Sequence, residues 1–370
     1  MIVTMKLTMP VKLVTNAAQK RLLEDAMRAF NQAATYAAKV AFTEGIRTKR
    51  LIHNRCYREL RERFGLSAQM AILAIWKVAE CFARDKKVCP VFRDMGAMTH
   101  DVRTMSFKGL DKVSILTLEG RIILPILMGA YQSGYLPKQK GQCDLIYRDG
   151  EFYLYCTVDI PDGAPIEAER YLGVDLGIVE IAADSDGHTF SGTDIEAVRL
   201  RCVTHRASYQ ATGTRSAKRR LKKMAGKESR FRRWVNHGIS KKLVDYAKDT
   251  KAVIVLEDLT HIRQRIRLRK RQRNRHHSWS FSQLRQFIEY KALREGVPVI
   301  TVDPRHSSRT CSKCGYVDKR NRKSQAEFSC KRCGYTANAD LNAAKCLVTR
   351  GFVTAPDLVT PRHGQLAFSW

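Results

Sequence analysis

The chain has 370 residues, 44% of them hydrophobic, so it can form more than one globular core and is not a disordered tail. Its 66 lysines and arginines outnumber 36 acids, and a formal charge of +30 calls for a polyanionic partner such as nucleic acid. A membrane-surface binder or a generally basic protein is the less favoured interpretation, because the charge is clustered and no segment has the roughly 18 apolar residues of a membrane span.

The first elements along the chain predict a strand followed by a small helical unit. Residues 2–14 read as a strand, and from Asn16 onward apolar residues recur at helical spacing. Two further helices are predicted over 54–64 and 68–83. Met1 to Leu13 lacks the apolar core and cleavage site of a secretory signal, so we expect the protein to stay in the cytoplasm.

From residue 101 to residue 160 the sequence has short runs in which apolar and polar residues alternate, and this pattern predicts a β-rich segment. Asp149 and Gly150 lie between two such runs and predict a hairpin turn. The proline- and glycine-containing segment 161–165 then predicts a linker into a second domain.

The second half predicts a sheet with interspersed helices. Strands over 171–176 and 179–183, followed by Thr189 and Phe190, predict a β-meander. Further elements are expected in the following order: a buried strand over 252–256 ending in Glu257, a helix over 282–295, a strand over 297–302, and a helix from Asn338 to about Arg350. We expect residues 351–370 to form a loosely ordered tail.

Two strongly basic runs interrupt this pattern. Between Arg199 and Lys242 there are fifteen lysines and arginines against one acid, Glu228, and Phe231 and Trp234 are available for packing or base stacking. Residues 262–275 hold eight cations and no acid, which predicts either a lid over nucleic acid or a solvated loop. The first run is predicted to face phosphates.

Four clustered cysteines predict a zinc site. Cys311 and Cys314 are separated by two residues, as are Cys330 and Cys333, and fifteen residues lie between the pairs. A glycine follows each pair, as tight zinc-binding turns require. Four thiolates close the tetrahedron, so the zinc would be structural, and the reducing cytoplasm favours metal binding over disulfides for such a cluster.

Three acids predict a second kind of metal site. Asp175 and Glu257 lie in or at the end of apolar strands, where an unpaired carboxylate is costly and a bound cation would remove the cost. Asp340 lies in a first helical turn, where the alternative is a simple capping role. Three such acids form the ligand set of a two-metal phosphodiester site, and oxygen ligands suit Mg²⁺ or Mn²⁺. Asp258 and Asp303 are weaker candidates, and Asp184 and Asp186 are predicted turn residues.

The motifs resemble a known family. They are Gly-Val-Asp-Leu-Gly-Ile (173–178), Val-Leu-Glu-Asp-Leu (255–259), Tyr-Lys-Ala near residue 291, the two Cys-x-x-Cys-Gly turns and Ala-Asp-Leu-Asn-Ala-Ala (339–344). In this order they resemble the TnpB (OrfB) proteins of insertion sequences, which are relatives of the compact type V CRISPR nucleases. The motifs cover residues 171–350, and the earlier part is similar in arrangement alone.

The resemblance implies a multidomain α+β fold. A β-barrel wedge domain (1–15 and 100–165) would be interrupted by a helical recognition lobe (16–99). An RNase H-like RuvC nuclease core (166–305) would be followed by an inserted zinc ribbon (306–335), a final RuvC-like helix (336–350) and the tail (351–370).

The resemblance also implies function. Asp175, Glu257 and Asp340 would form the metal-binding triad, and Arg309 would lie near the scissile phosphate, with a plain phosphate contact as its alternative. The partners would be a guide RNA and double-stranded DNA carrying a short adjacent motif, in a bacterium or archaeon, while no protein partner is indicated. Many family members have an acid where this chain has Asn338.

Three hypotheses follow. The first is an RNA-guided, magnesium-dependent DNA endonuclease. The second is a nuclease-silent, RNA-guided DNA-binding repressor, against which the complete set of three acids argues. The third is a guide-free RuvC-type nuclease or transposase.

Overall fold

The computed structural model describes residues 4–259, 281–324 and 326–359. The chain divides into two compact units at Pro161, which is where the linker was predicted. The second basic run, 262–275, and the end of the tail, 360–370, lie outside the described residues. Within the described part of the chain, no helix has the length and apolarity needed to cross a membrane.

The first unit contains four α-helices among the described residues, and side chains cap the first three of them. They are α1 (Ala17–Thr43), α2 (Lys49–Phe64), α3 (Ala68–Arg84) and the short α4 (Ala130–Tyr135). Asn16 accepts a hydrogen bond from the Gln19 amide, and the Gln19 side chain accepts one from the Asn16 amide, which is a capping box. The predicted start at Asn16 is confirmed, whereas α2 begins five residues before the predicted Asn54 because Thr48 caps it.

The strands of the first unit form one seven-stranded sheet. They are β1 (Thr4–Leu13), β2 (Met98–His100), β3 (Met105–Lys108), β4 (Lys112–Thr117), β5 (Gly120–Leu127), β6 (Gln139–Arg148) and β7 (Glu151–Pro161), in the spatial order β2-β6-β7-β1-β5-β4-β3. The edge strands β2 and β3 are joined by only residues 101–104, so the sheet nearly closes into a barrel. One hydrophobic core joins this sheet to α1, α2 and α3.

The hairpin predicted at Asp149 and Gly150 is confirmed. Arg148 pairs with Glu151 across β6 and β7, and both turn residues have positive φ, 53° and 87°. A two-residue turn with positive φ at both positions matches the right-handed twist of the strands it joins.

The second unit contains a five-stranded mixed sheet. Its strands are β8 (Arg170–Asp175), β9 (Glu180–Asp184), β10 (Thr189–Ser191), β11 (Ala252–Glu257) and β12 (Val299–Val302), in the order β10-β9-β8-β11-β12. The first three form the predicted antiparallel meander, while β11 runs parallel to both β8 and β12. All six residues of β11 are buried, as its apolar sequence predicts.

Five α-helices accompany this sheet in the described part of the second unit. They are α5 (Thr193–Thr212), α6 (Arg215–Met224), α7 (Lys227–Asp249), α8 (Phe281–Glu295) and α9 (Ala339–Thr354). The first basic run is therefore helical throughout most of its length. Between β12 and α9 the clustered cysteines occur with a small hairpin of β13 (Glu327–Ser329) and β14 (Thr336–Asn338).

The end of α9 differs from the prediction. The helix was expected to stop near Arg350 and a tail to begin at Gly351, but it continues to Thr354. Gly351 packs against Val255 of β11, and the Tyr171 hydroxyl donates a hydrogen bond to the Ala355 carbonyl. These contacts order the backbone beyond Arg350, so the predicted start of the tail at Gly351 is wrong.

Candidate metal centres

The four clustered cysteines meet in space. Their sulfur atoms all lie within 4.8 Å of one another, with 3.7 Å between Cys311 and Cys333 and 3.6 Å between Cys314 and Cys330. Four sulfurs bound to one zinc ion at about 2.3 Å would be separated by about 3.8 Å in a tetrahedron. The thiols are therefore placed to hold one zinc ion with no open position.

Two equivalent turns place these thiols. The amide of Gly315 donates to the Cys311 carbonyl, and the amide of Gly334 donates to the Cys330 carbonyl. Both glycines have a φ near +70°, which residues with a side chain rarely adopt. The glycine that follows each cysteine pair is thus needed for the turn, as the sequence predicted.

The environment of Cys330 also favours metal binding. Burial opposes ionisation of its thiol, but the backbone amides of Cys333 and Arg332 point at the sulfur and lower its pKa to about 7. A thiolate is the form that binds metal. The amides would thus favour the zinc-binding form at neutral pH.

Asp175 and Glu257 lie side by side at one edge of the five-stranded sheet. Val174 pairs with Leu256 in the parallel ladder between β8 and β11, so the next residue of each strand is one of the two acids. Each acid is the last residue of its strand. The parallel pairing therefore brings two carboxylates together from positions 82 residues apart in the sequence.

Asp340 comes from α9, which crosses the sheet in close contact with β8. A Cβ atom at Gly173 would lie 2.0 Å from the carbonyl oxygen of Ala344, so only glycine permits this approach. Asn338 caps the helix, because its side chain accepts hydrogen bonds from the amides of Asp340 and Leu341. The cap is thus supplied by Asn338, and the alternative role of Asp340 as a cap is wrong.

Electrostatic interactions show that the three carboxylates are close together. Burial, then the charges of Glu257 and Asp340, raise the pKa of Asp175 to about 8. Burial also raises the pKa of Glu257, against a hydrogen bond from Ser307 and the charge of Arg350. Burial raises the pKa of Asp340, against Arg322. Several buried acids with raised pKa values in one place are typical of a cation site or an active site.

The carboxylates are spaced more widely than the thiols. Among residues 4–259, 281–324 and 326–359, only the four cysteines bring three or more ligand atoms within 4.8 Å of one another. The ligand atoms that hold two ions roughly 4 Å apart must be spread over a larger distance than the ligand atoms of a single ion. Oε1 of Glu257 is buried and has no hydrogen-bond partner in the described part of the chain. An unbonded buried carboxylate oxygen fits a cation ligand.

The other acids have partners of their own, although the charge of Asp303 also contributes to the raised pKa of Glu257. Asp258 forms an ion pair with Arg285 at 3.0 Å, and Asp303 is exposed and lies 3.7 Å from Arg305. Asp184 accepts hydrogen bonds from the amides of Asp186 and His188, which is the turn role predicted for it.

The arginine that reaches the carboxylates was missed by the sequence analysis. Nη2 of Arg322 lies 3.4 Å from Oδ1 of Asp340, and its charge lowers the pKa of both Asp340 and Asp175. Arg309, the residue singled out from the sequence, has no side-chain hydrogen bond or ion pair with any residue that the structure describes. No local pattern distinguishes Arg322 from its neighbours Arg320 and Lys323, so only the fold identifies it.

Parts of the chain are similar in sequence to known proteins. Residues 281–347, which include all four cysteines and Asp340, match the family model described as Cas12f1-like, TNB domain. The CRISPR-associated endodeoxyribonuclease Cas12f1 of Sulfoacidibacillus thermotolerans is 33% identical over 258 residues, which cover 63% of this chain and 58% of that protein. The chain thus spans less than two thirds of the length of this relative.

A TnpB-like protein of Methanocaldococcus jannaschii is 27% identical over 254 residues, covering 64% of this chain and 89% of that protein. Among solved structures, a complex of Cas12f1 with sgRNA and target DNA has a TM-score of 0.64 at 14% identity, over 93% of this chain and 99% of the Cas12f1 chain. The fold is therefore shared with Cas12f1. The resemblance inferred from the motifs is confirmed: the chain is similar in sequence to TnpB-like proteins and to the Cas12f1 endodeoxyribonucleases.

Proposed function

We propose that the chain is an RNA-guided DNA endonuclease and that its second unit is a RuvC-like nuclease domain of the RNase H type. The observation that carries the proposal is the position of Asp175 and Glu257 at the ends of adjacent parallel strands, with Asp340 close enough to raise the pKa of Asp175. The mixed sheet crossed by α9 supports the assignment of the domain.

The three carboxylates would hold the catalytic cations. The pKa of Asp175, about 8, means that a proton occupies this carboxyl at neutral pH in the absence of metal, and a bound divalent cation would displace it. Bound Mg²⁺ would activate the attacking water and stabilise the leaving oxygen. Arg322 would help to keep Asp340 ionised.

The nucleic-acid partners are supported by charge and by the relatives. The net charge of +30 requires a polyanion, and helices α5, α6 and α7 carry fifteen cations between Arg199 and Lys242. The Cas12f1 relative is named an endodeoxyribonuclease, and the Cas12f1 structure of similar fold contains sgRNA and target DNA. We infer a guide RNA and a double-stranded DNA target with a short adjacent motif, and a zinc ion as the structural centre of the cysteine cluster.

The test is to purify the chain with its bound nucleic acid, sequence that nucleic acid, and assay DNA cleavage with and without Mg²⁺. We expect a defined RNA, and magnesium-dependent cutting of DNA complementary to its variable segment. Asp175→Ala should abolish cutting while RNA binding persists. The matched control is Asp249→Asn, which removes an exposed acid at the end of α7, near the start of β11 and away from Glu257 at its end, and should leave cutting unchanged.

The outcomes separate the other two functions considered. A defined RNA with guided DNA binding but no cleavage by the unmodified chain would indicate a repressor. Cleavage without any co-purified RNA would indicate a guide-free nuclease. Cutting that survives Asp175→Ala would rule out the carboxylate site as the catalytic centre.

A further inference from the structure

Trp234 is a large aromatic side chain on the solvent-facing side of a helix. One face of α7 is buried through Asn236, Ile239, Ser240, Leu243, Val244 and Ala247. The side chain of Trp234 lies away from that face and is 70% exposed. Packing within the described core therefore does not account for a tryptophan at this position.

The indole ring is supported on one side and open on the other. Phe231 lies one turn earlier on α7, with its ring centroid 5.9 Å from that of Trp234. One turn later the helix has Gly238, which has no side chain. Helical side chains lean toward the N-terminus, so a side chain at 238 would be the one to cover the indole. His237, the other neighbour one turn later, instead stacks on Phe287 of α8, with centroids 3.9 Å apart.

Nothing in the described fold requires a glycine at 238. The residue has helical backbone geometry and is not among the glycines of positive φ. A Cβ atom placed there would meet no other atom within 4 Å. Glycine inside a helix lowers helix stability relative to alanine. Packing therefore does not explain the glycine at 238. Its effect is to leave space open beside the exposed indole.

The surface around Trp234 is cationic. The exposed cations of α7 within about two turns of Trp234 are Lys227, Arg230, Arg233, Lys241 and Lys242. None of the five forms an ion pair with an acid that the structure describes, and Glu228 is engaged by Arg206 and Arg232. An exposed aromatic ring among unpaired cations is the arrangement that binds single-stranded nucleic acid, because bases stack on the ring while phosphates contact the cations.

Trp234 lies toward the same edge of the sheet as the carboxylates. Asn236 bonds to Gln283 in the first turn of α8, and Lys248 pairs with Glu295 at the end of α8, so α7 and α8 run parallel. Arg285, near the start of α8, forms an ion pair with Asp258, the residue after Glu257. The start of α8 is therefore at the edge of the sheet where the carboxylates lie. Trp234 is two residues before Asn236, the residue of α7 that contacts the start of α8.

We propose that Trp234 is a stacking site for an unpaired base of the DNA strand that approaches the carboxylates, with Gly238 keeping the ring accessible. The inference rests on the proposed endonuclease function. A single strand fits better than a duplex, since the bases of a duplex are already stacked on one another. DNA is assigned because the strand led to the carboxylates is the one to be cut.

The test uses the full chain with its co-purified nucleic acid in magnesium-free buffer, so that binding is measured independently of cleavage. The probes are single-stranded oligothymidylate of about 20 nucleotides, the corresponding duplex, and oligouridylate of the same length. A second oligothymidylate carries 5-iodouracil for photo-crosslinking and mapping by mass spectrometry. We expect a cross-link at Trp234 that does not depend on Asp175.

The variants separate stacking from charge and from folding. Trp234→Ala should weaken binding of the single-stranded DNA by about 10-fold and Trp234→Phe by much less. Gly238→Leu should weaken it comparably by covering the ring, whereas Gly238→Ala should leave binding close to that of the unmodified chain. Leu200→Ala, which removes another exposed apolar side chain of the basic helices, is the matched control and should have no effect.

Several results would overturn the assignment. They are unchanged binding by both Trp234→Ala and Gly238→Leu, a cross-link that maps elsewhere, or a loss of duplex binding as large as the loss of single-strand binding. Tighter binding of the oligouridylate than of the oligothymidylate, lost in Trp234→Ala, would assign the site to RNA and refute the DNA assignment. A correct cross-link in a chain that cuts no DNA would instead contradict the proposed endonuclease and leave the stacking site standing.

Discussion

The carbonyl oxygen of Ala344 lies where a side chain of Gly173 would be, 2.0 Å from its ideal Cβ position. This contact fixes α9 on β8 two residues before Asp175 and one turn after Asp340. The relative position of two of the three carboxylates thus depends on the absence of one methyl group.

Gly173→Ala should therefore destabilise the second unit. The added methyl group must push α9 away from β8, and overpacking of this kind costs about 1–3 kcal/mol of unfolding free energy. Urea unfolding measures the loss. Gly238→Ala is the control, since the same substitution into open space should stabilise α7 by up to about 1 kcal/mol. Equal changes in unfolding free energy for Gly173→Ala and Gly238→Ala would contradict the close approach of α9 to β8 at Gly173.

The stability of the metal-free protein should depend on pH through Asp175. Its pKa is about 8 in the folded chain against an ordinary value of 3.8, so the unfolded chain loses this proton first as pH rises. Protonated Asp175 thus contributes its full stabilisation of the folded chain below about pH 4, and this contribution to the free energy of unfolding is lost as pH rises through about 8. Above that range the folded chain carries an uncompensated buried charge.

Asp175→Asn keeps the shape of the side chain and removes this charge. In magnesium-free buffer the variant should be more stable than the unmodified protein near pH 8, on the order of a few kcal/mol, and the difference should vanish near pH 4. Urea midpoints across this range measure it. A difference that does not change with pH would contradict the raised pKa.

Arg322 should set the pH dependence of cleavage. Its guanidinium lowers the pKa of Asp340 and of Asp175, so Arg322→Ala should raise both and move the acid limb of the pH–rate profile to higher pH by about one unit. Arg322→Lys should restore part of the shift. Arg309→Ala is the comparison, because Arg309 has no described contact with the acids. If Arg309→Ala moved the acid limb and Arg322→Ala did not, the choice between the two arginines would be reversed.

Zinc should bind with a stoichiometry of one per chain. Cys330→Ser should lose this zinc, because the site has four thiols and no spare ligand, and should lower the thermal midpoint of the second unit. Metal analysis of the purified protein measures the content. Cys81→Ser, at a half-buried cysteine outside the cluster, should change neither quantity. A full zinc content in Cys330→Ser would contradict four-cysteine ligation.

The sequence was most informative where local chemistry decides the structure. The start of the first helix at Asn16, the hairpin turn at Asp149 and Gly150, and the turns after the two cysteine pairs each depend on a few adjacent residues, and each was predicted correctly. Buried strands such as β11 were also predicted, because a continuous apolar run in an α/β protein indicates a strand covered on both faces.

The sequence was least informative where structure depends on distant contacts. Helices α5 and α6 of the first basic run were not predicted, because α5 buries only Ile195 and Cys202 and α6 only Ala217, so no apolar period marks them. Arg322 was missed because its approach to Asp340 depends on the fold of the cysteine-bearing segment. The extension of α9 to Thr354 depends on packing against β11, and no residue in the sequence of the helix indicates this packing.

The first turn of α9 belongs to two sites at once. Ala339 packs in a small core with Cys311, Phe328 and Cys330, and the residue after it is Asp340. Asn342 bonds to the backbone of Thr310 and Ser312, on either side of Cys311. We expect removal of zinc to loosen this turn and with it the third carboxylate. A shortage of zinc would then abolish the magnesium-dependent reaction, while the basic helices would still bind their polyanion.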